Sequence, residues 1–344
     1  MNNKRKVIIR TVAYLFIIAL MGFILWYIFK DSIGDIACQL SNTKPWMLFL
    51  MILLGNMYYV IDATIYMLIF KREKYYMNFG RQMILAYMSI FYNVTTFGAG
   101  IKPGQTLYLN RKGMDAGTAF GITTMPYVFH KLIIVAYALV MLLFNNRFVV
   151  KNFSSTFGYI YIGVGLNLVI VVFLFLLCAS EKFHKLVYKL LDKILKKEKA
   201  VPIREKIKYQ VNKLREGTLK IIKTPSLWLK MSVLNIMKMS CWYVIPVIAI
   251  YAAGGSLGNV TVSQALTVTA LMQLLIGVIP TSGGVGSLEV VFSLLFAVVF
   301  GKIMAGSSMV LYRVSTYYVP FLISIITMVM SGYDMKHDKI KIYK

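Results

Sequence analysis

The sequence predicts an all-α polytopic membrane protein. It has about six full spans and two broken, re-entrant helical hairpins, arranged as an inverted repeat would place them. The composition is the first observation behind this reading. Hydrophobic residues make up 58% of the chain and charged ones 15%, with a mean hydropathy of +0.68, too little charge to coat a water-soluble domain of 344 residues. The second is length: apolar runs of about 20 residues, each near 30 Å as a helix, recur along the chain. The third is the lack of period-two alternation within those runs. That disfavours barrel strands and leaves helices to satisfy the backbone in lipid.

The elements follow in order. MNNKRK is a basic flank before an apolar run at 7–29. The run is too long for a signal-peptide core, and no small-residue cleavage site follows it, so it reads as an uncleaved first span. Further spans fall at 45–70, 115–144, 154–179, 225–252 and 303–332, and shorter apolar pieces at 82–96, 261–279 and 286–300. Trp26, Trp46 and most of the tyrosines read as interface anchors.

Charge orders these pieces. The net charge of +25 lies in short segments between apolar runs, the pattern of loops facing an anionic inner leaflet rather than of a nucleic-acid surface. Segment 180–224 carries 14 Lys/Arg against five acids and is expected to be cytoplasmic, with the N-terminus and the KREKYYMNFGR loop. If 82–96 crossed alone, the next two spans would carry 180–224 outside. If 82–112 instead dips in and returns, the basic segments stay inside, and about 22 Å of helix in 82–96 suits a dip. By the same parity, 261–279 and 286–300 together enter from the outside and return there, so that 303–332 brings the basic C-terminal tail to the cytoplasm. Two Gly/Pro-interrupted hairpins entering from opposite faces point to an inverted repeat with a site near the midplane. Residues 1–344 read as one membrane domain. Within it, 180–224 is amphipathic: Phe183, Leu186, Val187, Leu190, Leu191 and Ile194 are spaced as one helix face, Val201-Pro202 interrupts, and a second basic helix follows.

Asp62 and Glu289 are the two acids deep in apolar sequence, and Lys131, Lys238 and Arg313 are the matching cations. Charges at such depth are costly and mark functional candidates. GVIPTSGGVGSLEVVF breaks its helix at Gly283, Gly284 and Gly286, where backbone can approach a ligand closely. Ser287 is an expected N-cap, and the amides of the following half-helix suit a phosphate. Glu289 in the first turn would repel that anion unless a cation intervened; Arg313 is the candidate, and the alternative is a structural Glu289–Arg313 pair locking two helices. The other break, NVTTFGAGIKPGQTLYLNRKG, offers Lys102, Gly104, Gln105 and Tyr108 to a polar headgroup; it lacks the preceding strand of a dinucleotide fingerprint. His130 and Lys131 share a mid-span position, and Asp62 has Lys131 or Lys238 as a partner. Cys38, Cys178 and Cys241 are scattered. No metal site, cofactor motif or catalytic constellation is predicted.

Taken together, NVTTFGAGIKPGQTLYLNRKG, IPTSGGVGSLEVVF and LYRVSTYYVPF resemble the flippase-like transmembrane domain of the lysylphosphatidylglycerol synthase/flippase (MprF) family, over essentially the whole chain. Pro280, Gly283, Gly284, Gly286 and Glu289 match the second motif, with Ser282 where the family has a proline. Pro103, Gly104 and Gln105 match the first, with Gln105 where many relatives carry Glu, and Arg313 matches the arginine of the last helix. The resemblance implies a multi-pass protein of the bacterial plasma membrane, with both termini cytoplasmic. It would bind or translocate an anionic or aminoacylated phospholipid of the lysyl-phosphatidylglycerol type, linked to resistance to cationic antimicrobial peptides. The family's full-length members add a soluble domain that transfers lysine to phosphatidylglycerol. These 344 residues are expected to lack it, so transport or headgroup recognition is expected rather than catalysis. The alternatives are a phosphatidylglycerol lysyltransferase and a non-transporting partner of a separate synthase. Expected partners are phospholipid, the membrane, and a second copy of the chain or a separate synthase, with no nucleic acid.

Overall fold

The computed structural model describes residues 33–96, 98–154, 157–194, 201–277, 286–337 and 341–342. The expected span at 7–29, with its MNNKRK flank, and the IPTSGG part of the second break, including Gly283 and Gly284, lie outside the described residues. Every regular element among the described residues is helical except one antiparallel pair of two-residue strands. The helices are α1 (Ile33–Ser41), α2 (Pro45–Arg72), α3 (Phe79–Thr95), α4 (Ile101–Arg111), α5 (Ala116–Phe144), α6 (Asn146–Asn152), α7 (Phe157–Ala179), α8 (Glu181–Ile194), α9 (Val201–Ile222), α10 (Pro225–Ala252), α11 (Val262–Ile276), α12 (Ser287–Phe300), α13 (Lys302–Arg313) and α14 (Val319–His337). A π-helical turn, Val314–Tyr318, joins α13 to α14 in one rod.

Among the described residues, α2, α5, α10 and the rod Lys302–Gly332 are long and apolar enough to cross a bilayer; Gly158–Phe173 of α7, α11 and α12 are shorter apolar helices. Apolar side chains on α7 and α14 face outward, among them Tyr159, Ile162, Val169, Leu322, Ile326 and Val329. A water-soluble protein would bury such faces, whereas lipid accepts them. The protein is therefore a multi-pass helical membrane protein. The short α1 and α6 were not anticipated.

Local chemistry sets the helix starts. Pro45 and Pro225 occupy the first turns of α2 and α10, where a missing N–H costs nothing. The Asn78 side chain accepts Arg81 N at 3.0 Å to cap α3, and Asp115 accepts Thr118 N at 2.9 Å to cap α5. Thr261 and Gln264 form a reciprocal capping box on α11, at 3.3 and 2.9 Å.

The contacts at the two ends fix the path. At one end, Asp334 of α14 accepts Arg81 Nε at 2.9 Å, Lys112 Nζ at 2.8 Å and Tyr108 Oη at 2.7 Å. The strands β1 (Tyr75–Tyr76) and β2 (Lys341–Ile342) pair there, and Tyr209 of α9 donates to Asp115 at 2.9 Å. This end thus gathers the 71–81 loop, the ends of the α3–α4 hairpin, segment 180–224 and the basic tail. At the opposite end, Lys44 N donates to Ala252 O at 3.3 Å, Asn145 Nδ2 donates to Ser263 and Thr267 at 2.9 Å, and Gly255 packs against Met304. So α3 enters from the basic end and α4 returns to it, while α11 enters from the opposite end and α12 returns there.

Segment 180–224 forms an antiparallel helix pair. Asp192 holds Arg204 at 3.3 Å and Lys208 at 3.1 Å, and Glu181 holds Arg215 at 3.1 Å. Such exposed pairs are screened by water and bind the two helices only weakly. Stronger anchoring comes from α9 docking on α5, where Gly117 is so close to Tyr209 that an added Cβ would lie 2.4 Å from its ring. Amphipathicity foresaw the two helices but not this seat on α5.

Two apolar clusters divide the bundle. One, with Tyr66, Phe70, Leu85, Leu109 and Met231, fills the basic end. The other, with Ile250, Leu271, Met272, Phe292 and Phe296, fills the opposite end. Lipid already solvates apolar groups, so these clusters hold by close packing more than by transfer from water. Polar side chains collect between them.

Candidate functional site: a cationic cavity between the broken hairpins

A cavity of about 650 Å³ opens between the two clusters. Asn93, Gly98, Ile101 and Lys102 line it from the first hairpin; Gln273, Ile276, Gly277 and Leu288 line it from the second. The middles of α2, α5 and α10 add Asp62, Lys131 and Lys238, and the rod adds Tyr312, Arg313 and Tyr317. The depth follows from topology: each hairpin turns back part-way, so the helix ends beside its break meet the spanning helices near their centres.

Arg313 is buried and donates Nε and Nη2 to Glu289 Oε1 at 2.8 and 2.6 Å. The other oxygen, Oε2, accepts Gly286 N at 2.7 Å. Gly286, at φ +82°, is the residue that starts α12. Ser287 was the expected cap; it is instead the first helical residue, because the positive φ needs glycine and Glu289 itself closes the first turn. The carboxylate is thus used by its own hairpin and by the rod, and the guanidinium also lies 4.9 Å from the Tyr317 ring.

Asp62 Oδ1 accepts Lys238 Nζ at 2.8 Å, which selects Lys238 over Lys131, and the ammonium lies 4.7 Å from the Tyr58 ring centroid. Lys102 Nζ donates to Gln105 Oε1 at 3.1 Å and to the Thr123 carbonyl at 2.6 Å. That carbonyl lies beside Pro126, which lacks the N–H that would bond Ile122. Lys131 Nζ sits against Gly277, at the C-terminal end of α11, 3.3 Å from where a Cβ would stand. Both Lys102 and Lys131 approach one ring, Tyr127, at 5.5 and 5.8 Å from its centroid. His130 Nε2 lies 3.5 Å from Tyr58 Oη, and its buried Nδ1 has no hydrogen-bond partner among the described residues.

The structure therefore brings Asp62, Lys102, Gln105, Lys131 and Arg313 to one cavity, with Glu289 directly behind Arg313. It places others elsewhere. Gly104 packs on Tyr92, where an added Cβ would lie 2.2 Å from the ring, and Tyr108 turns to Asp334 at the basic end. Gln105 is held by its amide, which donates to Leu85 O at 2.8 Å and Tyr66 Oη at 3.2 Å. Sequence reading passed over a polar node on the cavity wall: Trp242 Nε1 and Gln273 Nε2 both donate to Tyr312 Oη, the second at 2.5 Å. Gln273, a polar residue inside a short apolar piece, was the available signal. Asp334 was also passed over, as a lone acid entering a basic tail.

Two spent ion pairs and two further ammonium groups make this a polar, cation-rich chamber at mid-depth. Such a chamber can hold the anionic head of an amphiphile whose tails stay in lipid. No curated protein matches the chain. A family model described as the lysylphosphatidylglycerol synthase TM region matches residues 11–324, taking in both broken hairpins and every cavity-lining residue named above. The chain belongs to the lysylphosphatidylglycerol synthase TM region family.

Proposed function

We propose that this protein binds a phospholipid headgroup in the cavity between its broken hairpins and carries it across the bacterial plasma membrane. One observation supports the reading above the rest: mid-depth cations, Lys102, Lys131, Lys238 and Arg313, converge on one chamber of about 650 Å³. In a bilayer, charges are kept at that depth where they serve a guest or a pathway. The hairpins contact the guest from opposite faces, as alternating access about a central site requires. The basic end, with its lysine- and arginine-rich loops, faces the cytoplasm in this reading, and both termini lie there. Protection against cationic peptides would follow only if the lipid delivered outward made the outer surface less negative.

The test is reconstitution. Liposomes holding the full chain should expose tagged phosphatidylglycerol to an external quencher at least about tenfold faster than empty liposomes, the size of effect that about 1.4 kcal/mol off a barrier produces. Equal rates would overturn the reading. Expressing the chain alone and chromatographing the lipids tests the lysyltransferase reading, and new lysyl-phosphatidylglycerol would replace transport with catalysis.

A further inference from the structure

Charge bookkeeping at the cavity separates its cations into two kinds. Lys238 and Arg313 are neutralised by Asp62 at 2.8 Å and Glu289 at 2.6 Å. Lys102 and Lys131 have no carboxylate partner among the described residues. Lys102 is held by neutral oxygens, Gln105 Oε1 and Thr123 O, and by the Tyr127 ring, with Asp62, already paired to Lys238, acting on it only through space; Lys131 is held by the same ring and the end of α11. The stretch at 278–285 carries no charged residue in its sequence. Dipoles and rings solvate an ammonium group without cancelling its charge. Both groups border the same cavity and lie 5.5 and 5.8 Å from the centroid of one ring, Tyr127, so both charges act on the same part of the chamber.

We infer that the cavity selects a net-anionic headgroup over a lysylated one, with the phosphate seated between Lys102 and Lys131 beside Tyr127. This rests on the cavity being a lipid site and names the class of lipid. Arg313 is not the phosphate anchor, because Glu289 already takes two of its donors. Lysyl-phosphatidylglycerol carries one phosphate and two ammonium groups. Its ammonium groups would enter a chamber whose acids, Asp62 and Glu289, are already engaged, beside two uncancelled lysines. Phosphatidylglycerol supplies the missing negative charge and no positive one. The chemistry recognised is a phosphate drawn by two ammonium groups, through charge-assisted hydrogen bonds where its oxygens reach them.

Binding to the purified full chain in detergent, read by native mass spectrometry, tests this apart from movement. Phosphatidylglycerol should bind about tenfold or more tighter than lysyl-phosphatidylglycerol, and diacylglycerol should not compete. Lys131→Gln, which breaks no side-chain hydrogen bond among the described residues, should erase most of that preference, and Lys131→Arg should keep it. Lys151→Gln, an exposed change at the opposite end, controls for the protein's general basicity and should leave the preference intact. Inorganic phosphate is the second arm. If it displaces phosphatidylglycerol from the wild type but not from Lys131→Gln, the site reads phosphate from either source; if it does not displace, the lipid is the guest, and both results support the lysine seat provided Lys131→Gln weakens lipid binding. Lysyl-phosphatidylglycerol binding as tightly as phosphatidylglycerol would overturn the inference, as would an unchanged preference in Lys131→Gln. A protein that binds with this selectivity yet moves no lipid refutes only transport; one that moves lipid without regard to charge or Lys131 refutes only the selectivity.

Discussion

The two broken hairpins use one device for opposite ends. Each dips part-way into the bundle, carries a positive-φ glycine at its break, Gly98 or Gly286, and presents a half-helix start to the same chamber. In the first, the turn is closed by neutral groups: Gly98 sits at φ +80°, and Thr96 Oγ1 accepts Gly100 N at 2.7 Å. That leaves the charge of Lys102, one residue into α4, uncancelled at the cavity wall. In the second, closure consumes the charge: Glu289 binds its own turn through Gly286 and locks Arg313 of the rod. A carboxylate at a helix start suits the dipole and the free amides there. A lysine in the same place opposes the dipole, so it is stable only with nearby acceptors, or with an anion. On the proposed reading, the first hairpin is the one that reads the guest, and the second is the one that holds the frame.

The sharpest way to break this contrast is Glu289→Gln. Removing the acid strands a buried guanidinium, which costs about 3–5 kcal/mol, and the thermal midpoint of the purified protein should fall steeply. A variant that stays as stable as wild type but stops moving lipid would make the second hairpin the reader and reverse the assignment. Gly55→Ala is next. An added Cβ would lie 2.1 Å from the Ser315 carbonyl in the π-helical turn, so α2 must back away, at about 1–3 kcal/mol. The strain falls on the rod behind Arg313, so the midpoint should fall while headgroup selectivity is kept.

Asp334→Asn is the smallest change and acts on the outer ends of the first hairpin. The carboxylate and Arg81 are partly exposed, but Lys112 is fully buried and keeps its contact with the Asp334 backbone carbonyl, so about 1–2 kcal/mol is expected, with faster amide exchange across 79–111 and little at α11 and α12. Acid should do the same. Burial pushes the Asp334 carboxyl up, but Lys112, Tyr108 and Arg81 outweigh it and hold its pKa below the ordinary 3.8. A depressed carboxyl stabilises fully above its unfolded value and loses that contribution as pH falls through the folded one. The exchange protection should thus hold at neutral pH and fade only below about pH 4.

Much of this was legible in the chain, and the illegible part has physical causes. Gly and Pro punctuation with basic loops marked both hairpins and the end each starts from, because bilayer thickness and charge asymmetry constrain topology strongly. Depth in apolar sequence singled out Asp62, Glu289, Lys131, Lys238 and Arg313. Pairing among them was not legible: Lys131 and Lys238 lie at similar depth on different helices, and only their azimuth, set by packing, gives Lys238 to Asp62. Tyr108 looked like a headgroup ligand because a loop position does not say which way a ring leaves α4. The π-helical turn had no warning either, since VSTYY contains neither proline nor glycine; its signal lies across the bundle, in Gly55.

That turn has a mechanical consequence. A π-turn stores one surplus residue in a rod that is otherwise α-helical. Were the surplus released, everything beyond it would swivel by about 100° and slide by about 1.5 Å. Arg313 lies on one side of the surplus residue and Asp334 on the other, each clamped to a different hairpin. The rod therefore works as a keyed shaft: the frame around the cavity and the clasp at the basic end cannot both stay engaged if it changes its winding.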